Sequence, residues 1–171
     1  MDLLSSMKWL WPSETYIANL QKFCGPVDMA GVIDVEDPNR LANRMLGFIF
    51  QGLSTNYKIP VAYFLVNQLT AEELKALTVH VIEEVEKTGF KVDRLVTDNL
   101  SVNVSLFALL NDNVHHPVVC HPVQPHKKTE LIPSVMRPLF LSFDYCHVTK
   151  NVRSQFFERN FHINGKEVSG K

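Results

Sequence analysis

A chain of 171 residues with 46% apolar and 20% charged side chains is long enough to bury a core and too apolar to stay disordered. No stretch approaches the ~20 uninterrupted apolar residues of a helical membrane span, and a formal charge of −1 gives no overall electrostatic case for a polyanion. The charge is uneven, however: residues 126–171 hold eight Lys/Arg and four Asp/Glu, or +4, against nine and fourteen, or −5, in residues 1–125. Three cysteines, Cys24, Cys120 and Cys146, are too few and too scattered for a disulfide framework and suit a reducing compartment. Met1–Pro12 lacks a secretory pattern, since Asp2 stands where a basic residue is needed and Lys8 interrupts the apolar run. A nuclear or cytosolic address follows as the default.

In chain order, Met1–Lys22 reads as a short amphipathic helix or a loose arm anchored by Trp9, Leu10 and Trp11. Trp9 and Trp11 are candidates to cover an open sheet edge. Ala30–Val35 is strand-like and is closed by Asp37-Pro38-Asn39. Leu46–Leu53 and Ile59–Val66, rich in β-branched and aromatic residues, predict a β-hairpin with Pro60 tolerable near its second strand's start. Their Phe and Tyr alternate at strand spacing, as core residues do. The clearest helix begins at Thr70, whose partner Glu73 completes a capping box. Leu74, Leu77, Val81 and Val85 form its buried stripe, with Glu83, Glu84, Glu86 and Lys87 towards water and Gly89 at its end.

Val92–Val96 is a buried strand ending at Asp98, and Val102–Leu110 continues as a helix. Residues 111–138, with five Pro and four His, read as a long loop. Leu139–Phe143 is another buried strand, ending at Asp144, and Cys146 to about Asn160 is helical. Antiparallel strands followed by βα units predict an α/β layered fold with a mixed sheet. The order alone does not choose among mixed-sheet folds.

Asp98 and Asp144 share a context, each just after a buried strand and ahead of a helix. Ligands gather outside the carboxyl ends of strands in open α/β sheets. Two carboxylates brought side by side share a proton or bind a divalent cation. The competing role is helix capping, the commonest one for Asp after a strand.

Three blocks carry a family resemblance. Residues 57–74 (YKIPVAYFLVNQLTAEEL), 95–110 (LVTDNLSVNVSLFALL) and 140–156 (FLSFDYCHVTKNVRSQF) resemble, in order, the P-element-type transposases, including those of THAP-domain proteins. Gly31–Val35 (GVIDV) is similar to the strand after that family's first catalytic block. The resemblance implies an RNase H-like mixed sheet with flanking helices, using Mg²⁺ to cut and join DNA in the nucleus. It implies Asp98 and Asp144 as catalytic, metal-facing carboxylates, with Asn103, His147 and Asn151 in support. Lys150 and Arg153, on the helix after Asp144, could meet phosphate.

The family's first catalytic Asp lies in an acidic block where this chain has Met1–Lys22, which shows no such block. Asp34 matches a non-catalytic position, and Asp28 is a weak substitute. The family's last carboxylate, a Glu, follows a long guanine-nucleotide-binding insertion, and neither precedes Lys171. No Walker-type phosphate loop and no THAP-type Cys/His zinc finger occurs. The expectation is therefore an incomplete RNase H-like fold, lacking the first catalytic strand and the C-terminal portion. It divides into an arm at 1–26, a partial transposase domain at 27–160 and a tail at 161–171.

One or two carboxylates should hold Mg²⁺ weakly or not at all, so the chain alone is expected to be inactive. Its expected partners are DNA, the missing transposase parts or a second copy, and no membrane. Two other classes stand beside this one. The first is a non-catalytic DNA- or protein-binding module on the same scaffold. The second is a zinc protein using Cys120-His121 and Cys146-His147, with His115, His116 and His126 nearby, although the usual C-x₂₋₄-C spacing is absent.

Overall fold

The computed structural model describes residues 15–17, 22–35, 37, 39–111, 116–123, 137–159 and 161–168. The chain divides into two compact units, Met1–Val92 with His121–Arg137, and Asp93–Cys120 with Pro138–Lys171.

In the first unit, β1 (Thr15–Ile17) pairs antiparallel with β2 (Lys22–Cys24). A short amphipathic helix or a loose arm was expected across Met1–Lys22; Thr, Tyr and Ile at 15–17 favour extended backbone instead. Trp9 and Trp11 lie outside the described residues. The strand expected at Ala30–Val35 is also corrected. Ala30 (φ 54°) and Gly31 (φ 72°) take left-handed backbone, the Asp28 carboxylate accepts the Ala30 N–H at 2.8 Å, and the Val32 N–H donates to the Met29 carbonyl at 3.0 Å. Two successive positive φ angles make this a tight turn of the hairpin-closing kind, and Asp28 stabilises it locally.

The hairpin is as expected: β3 (Arg44–Gln51) and β4 (Lys58–Val66) run antiparallel, with a register shift between Phe48 and Ile49. Pro60, which has no N–H for the ladder, pairs with Ile49 beside that shift. Helix α1 (Ala71–Lys87) carries the complete capping box: Thr70 N–H donates to Glu73 at 2.7 Å, and Glu73 N–H donates to Thr70 Oγ1 at 3.2 Å. Its Leu77, Val81 and Val85 pack with Phe64 and Val66 of β4, and Phe48 meets Phe64 edge-on at 5.9 Å. The aromatic alternation is therefore core. Gly89 (φ 94°) ends the helix by donating to the Glu86 carbonyl.

The second unit holds a three-stranded mixed sheet of order β5-β7-β6: β5 (Arg94–Thr97), β6 (Val118–Cys120) and β7 (Pro138–Phe143). β7 runs parallel to β5 and antiparallel to β6. β6 corrects the expectation of an unbroken loop over 111–138, because its three residues are too short to show a period between prolines. Leu95, Val119, Leu139 and Leu141 share one face by register, and the last three are buried. Helices α2 (Ser101–Leu110) and α3 (Tyr145–Glu158) follow β5 and β7. Within the stretch read as the tail, β8 (Phe161–Ile163) and β9 (Lys166–Val168) form a hairpin turned by Asn164 (φ 50°) and Gly165 (φ 76°).

Candidate functional site

The site is built at the carboxyl ends of β5 and β7. Parallel pairing aligns Leu95 with Leu141 and Thr97 with Phe143. The Asp144 N–H then donates to the Thr97 carbonyl at 2.7 Å. Asp98 and Asp144 are thus the next residues on two strands about 4.8 Å apart, the arrangement that the two strand-Asp-helix patterns call for.

The two carboxylates differ in employment. Asp144 is the N-cap of α3, its Oδ1 accepting the Cys146 N–H at 2.9 Å. Asp98 is not a cap in that sense: α2 starts behind Leu100, which offers no side-chain cap. Instead Asp98 Oδ1 accepts the Leu100 N–H at 3.0 Å and the Asn103 side-chain amide at 2.6 Å. Asn103 sits on the first turn of α2, so the helix itself fixes the Asp98 rotamer. Asp98 Oδ2 takes neither bond.

Asp144 Oδ2 lies 3.6 Å from His147 Nδ1, an ion pair when the ring is protonated. Asn151, one turn further along α3, donates to Asn99 Oδ1 at 2.6 Å and so ties the Asp98 loop to that helix. Asn99 is the member that sequence reasoning missed; its signal was only adjacency to Asp98. Phe107 of α2 stacks on Phe143 at 4.9 Å and holds the helix against the end of β7. Lys150 and Arg153 are exposed on α3, and the Arg153 guanidinium lies over the Phe157 ring at 5.8 Å. Tyr145, at the helix start, has its phenol pushed above the usual value, first by a hydrogen bond with the Cys146 side chain and then by charge at Cys146 and Asp144.

His121, weighed as a zinc ligand, has other work, and Glu86 shares it. Glu86, expected to face water, is only 13% exposed in its side chain and is paired with Arg137. Its Oε1 also accepts the Val92 N–H at 2.9 Å. His121, 1% exposed, lies 2.9 Å from the Val92 carbonyl through Nε2 and accepts the Val123 N–H at Nδ1 at 3.0 Å. The buried ring thus closes a clamp in the first unit with Glu86 and Arg137. Cys120, the neighbour of His121, is exposed, and among the described residues no group of three or more His, Cys, Asp or Glu could hold a metal ion. His115 and His126 lie outside the described residues. The Asp28 carboxylate is occupied in its own turn.

A family model described as TNP-like, RNase H N-terminal domain, matches residues 12–111, more than half of the chain. The chain belongs to that family. Among solved structures, the Drosophila P element transposase strand transfer complex is similar, with a TM-score of 0.56 at 19% identity. That likeness, which bears on the fold alone, covers 93% of this chain and 29% of the other. No curated protein matches the chain by sequence. The family model bears out the expected transposase-type resemblance over the blocks at 57–74 and 95–110, and the likeness to the P element transposase structure bears out an incomplete RNase H-like fold of mixed α/β type. Among the described residues no helix is long and apolar enough to cross a membrane.

Proposed function

We propose that this TNP-like domain supplies the Asp98–Asp144 part of a P-element-type transposase site, acts on DNA in the nucleus, and does not cut or join DNA by itself. The observation that carries the reading is the pairing of β5 with β7, which leaves the two carboxylates on adjacent strand ends. Asp98, held by Asn103, keeps Oδ2 clear of those bonds, and Asp144 keeps Oδ2 towards His147. Such a donor set fits Mg²⁺, which takes one or two carboxylates and completes its shell with waters and substrate phosphate. Mg²⁺ held there supplies activation of an attacking hydroxyl and neutralisation of charge on the phosphate. The chain's own residues orient the two carboxylates, and Lys150 and Arg153 position the DNA backbone. Two carboxylates with no third ligand beside them among the described residues support weak ion binding, and hence inactivity alone.

The reading also calls for further polypeptide, whether the rest of the transposase, a THAP-type module or a second copy. Val96 and Phe140, on the sheet face opposite Leu95 and Leu141, are 54% and 44% exposed, and α3 has no buried residue. A non-catalytic module that only binds DNA also makes no nicks, and differs in that its DNA affinity in Mg²⁺ would survive Asp98→Ala unchanged. The purified chain is incubated with supercoiled plasmid and Mg²⁺ or Mn²⁺, alongside Asp98→Ala. The proposal expects salt-dependent binding of DNA and no nicks. Nicking by the parent chain, lost in Asp98→Ala, would overturn the claim of inactivity. No binding at low salt would overturn DNA as the partner.

A further inference from the structure

Helix α3 presents two opposed faces. Asn151 reaches Asn99, and Val148 and Gln155 are half-buried, so these mark the side packed in its own unit. Opposite them, Cys146, Lys150, Arg153 and Phe157 recur at i, i+4, i+7 and i+11, and all four are exposed. The stripe starts at Cys146, whose N–H is held by the Asp144 carboxylate. It runs for about 16 Å at 1.5 Å per residue.

Phe157 is 50% exposed, is braced edge-on by Phe156 at 5.9 Å, and has the Arg153 guanidinium on its ring. The helix's one acid, Glu158, lies about 100° round from Phe157. The exposed stripe therefore carries cations and an aromatic ring with no counter-charge of its own. An ordinary packing face would bury the ring and keep Lys and Arg at its margin. Cations a turn apart beside a ring already under a guanidinium are what a single nucleic-acid strand uses, phosphates on the cations and a base on the ring.

We propose that this face of α3 is a track for unpaired nucleic acid leading away from the Asp98–Asp144 strand ends. Lys150 and Arg153 meet phosphates, and Phe157 stacks an unpaired base. The inference rests on DNA being the partner and deepens it, by specifying a single strand and the ring that reads it.

The test uses the full chain in EDTA, so that it is independent of any metal. Fluorescence anisotropy compares a labelled oligonucleotide of about 20 nucleotides, single-stranded and as a blunt duplex, with the helical dichroism of each variant as the control for folding. Phe157→Ala is expected to weaken single-strand binding about tenfold, with little change on duplex. Phe157→Trp retains binding, and its indole emission is quenched by the single strand. Lys150→Ala and Arg153→Ala each lower the salt slope by about 0.7.

Single-strand binding unchanged in Phe157→Ala overturns the track. Duplex binding that depends on Lys150 and Arg153 but not on Phe157 leaves DNA as partner and removes the stacking role. No binding of either probe removes both. A concentration-dependent dimer seen by sedimentation and lost in Phe157→Ala would assign the ring to a protein contact instead, and overturn the track.

Discussion

Removing the Glu86 carboxylate should unfasten the first unit from within α1. Glu86 Oε1 accepts from Arg137 and from the Val92 N–H, and it lies 3.4 Å from His121 Nε2. Glu86→Ala would leave a buried imidazole beside an uncompensated guanidinium and would orphan the Val92 N–H. Breaking a buried ion pair costs about 3–5 kcal/mol. The Arg137 side chain keeps 23% exposure, so water recovers part of that and about 2–3 kcal/mol is the reasoned loss. With a urea slope of about 2 kcal/mol/M, the midpoint should fall by about 1–1.5 M. Urea titration followed by far-UV dichroism measures it directly. Glu86→Gln, which keeps an acceptor for Val92, should lose less, and amide exchange at Val92 should quicken in Glu86→Ala. A midpoint within about 0.3 M of the parent, on the same slope, would refute the clamp as a stabilising element.

The remaining expectations concern single positions. Asp144→Ala should cost about 1 kcal/mol by removing the α3 cap, while Asp144→Asn should keep that stability; equal losses in thermal melts would contradict the capping role. Gly52→Ala should destabilise the β3–β4 hairpin, because a Cβ there would come 2.7 Å from the Thr55 carbonyl oxygen; an unchanged melting temperature would mean that the loop relaxes freely. The Tyr145 phenol, held above its usual value of 10.0 by Cys146, should titrate at lower pH in Cys146→Ala. Because the neutral form is the one favoured, absorbance near 295 nm should rise earlier on the alkaline side, and no change would remove the hydrogen bond with Cys146 as the cause.

What could be read in the sequence follows from how local each signal is. The capping box at Thr70 and Glu73 and the stripe of Leu74, Leu77, Val81 and Val85 are satisfied within one helix, so pattern and structure agree. The strand-Asp-helix patterns at Asp98 and Asp144 were legible for the same reason, and the register between them needed only β5 and β7 to pair. Longer reach was invisible. Glu86 looks solvent-facing by helical period, yet its partner Arg137 stands 51 residues away.

Asp144 caps its helix and Asp98 does not, its carboxylate being drawn to Asn103 within α2. GVIDV failed as a strand because Asp28 and Gly31 form a turn that outweighs the β-branched run. The C-terminal hairpin carries a local signal in the sequence, Asn164-Gly165 between two short extended runs.

In the proposed site Asp98 and Asp144 together would face a divalent ion whose shell is completed by nucleic-acid phosphate. Mn²⁺ titration followed by electron paramagnetic resonance, with and without an oligonucleotide, tests it most directly. The account predicts weak binding by the chain alone, tighter binding when the oligonucleotide is present, and loss of that gain in both Asp98→Asn and Asp144→Asn. Mn²⁺ affinity indifferent to the oligonucleotide, or unchanged in both variants, would contradict it.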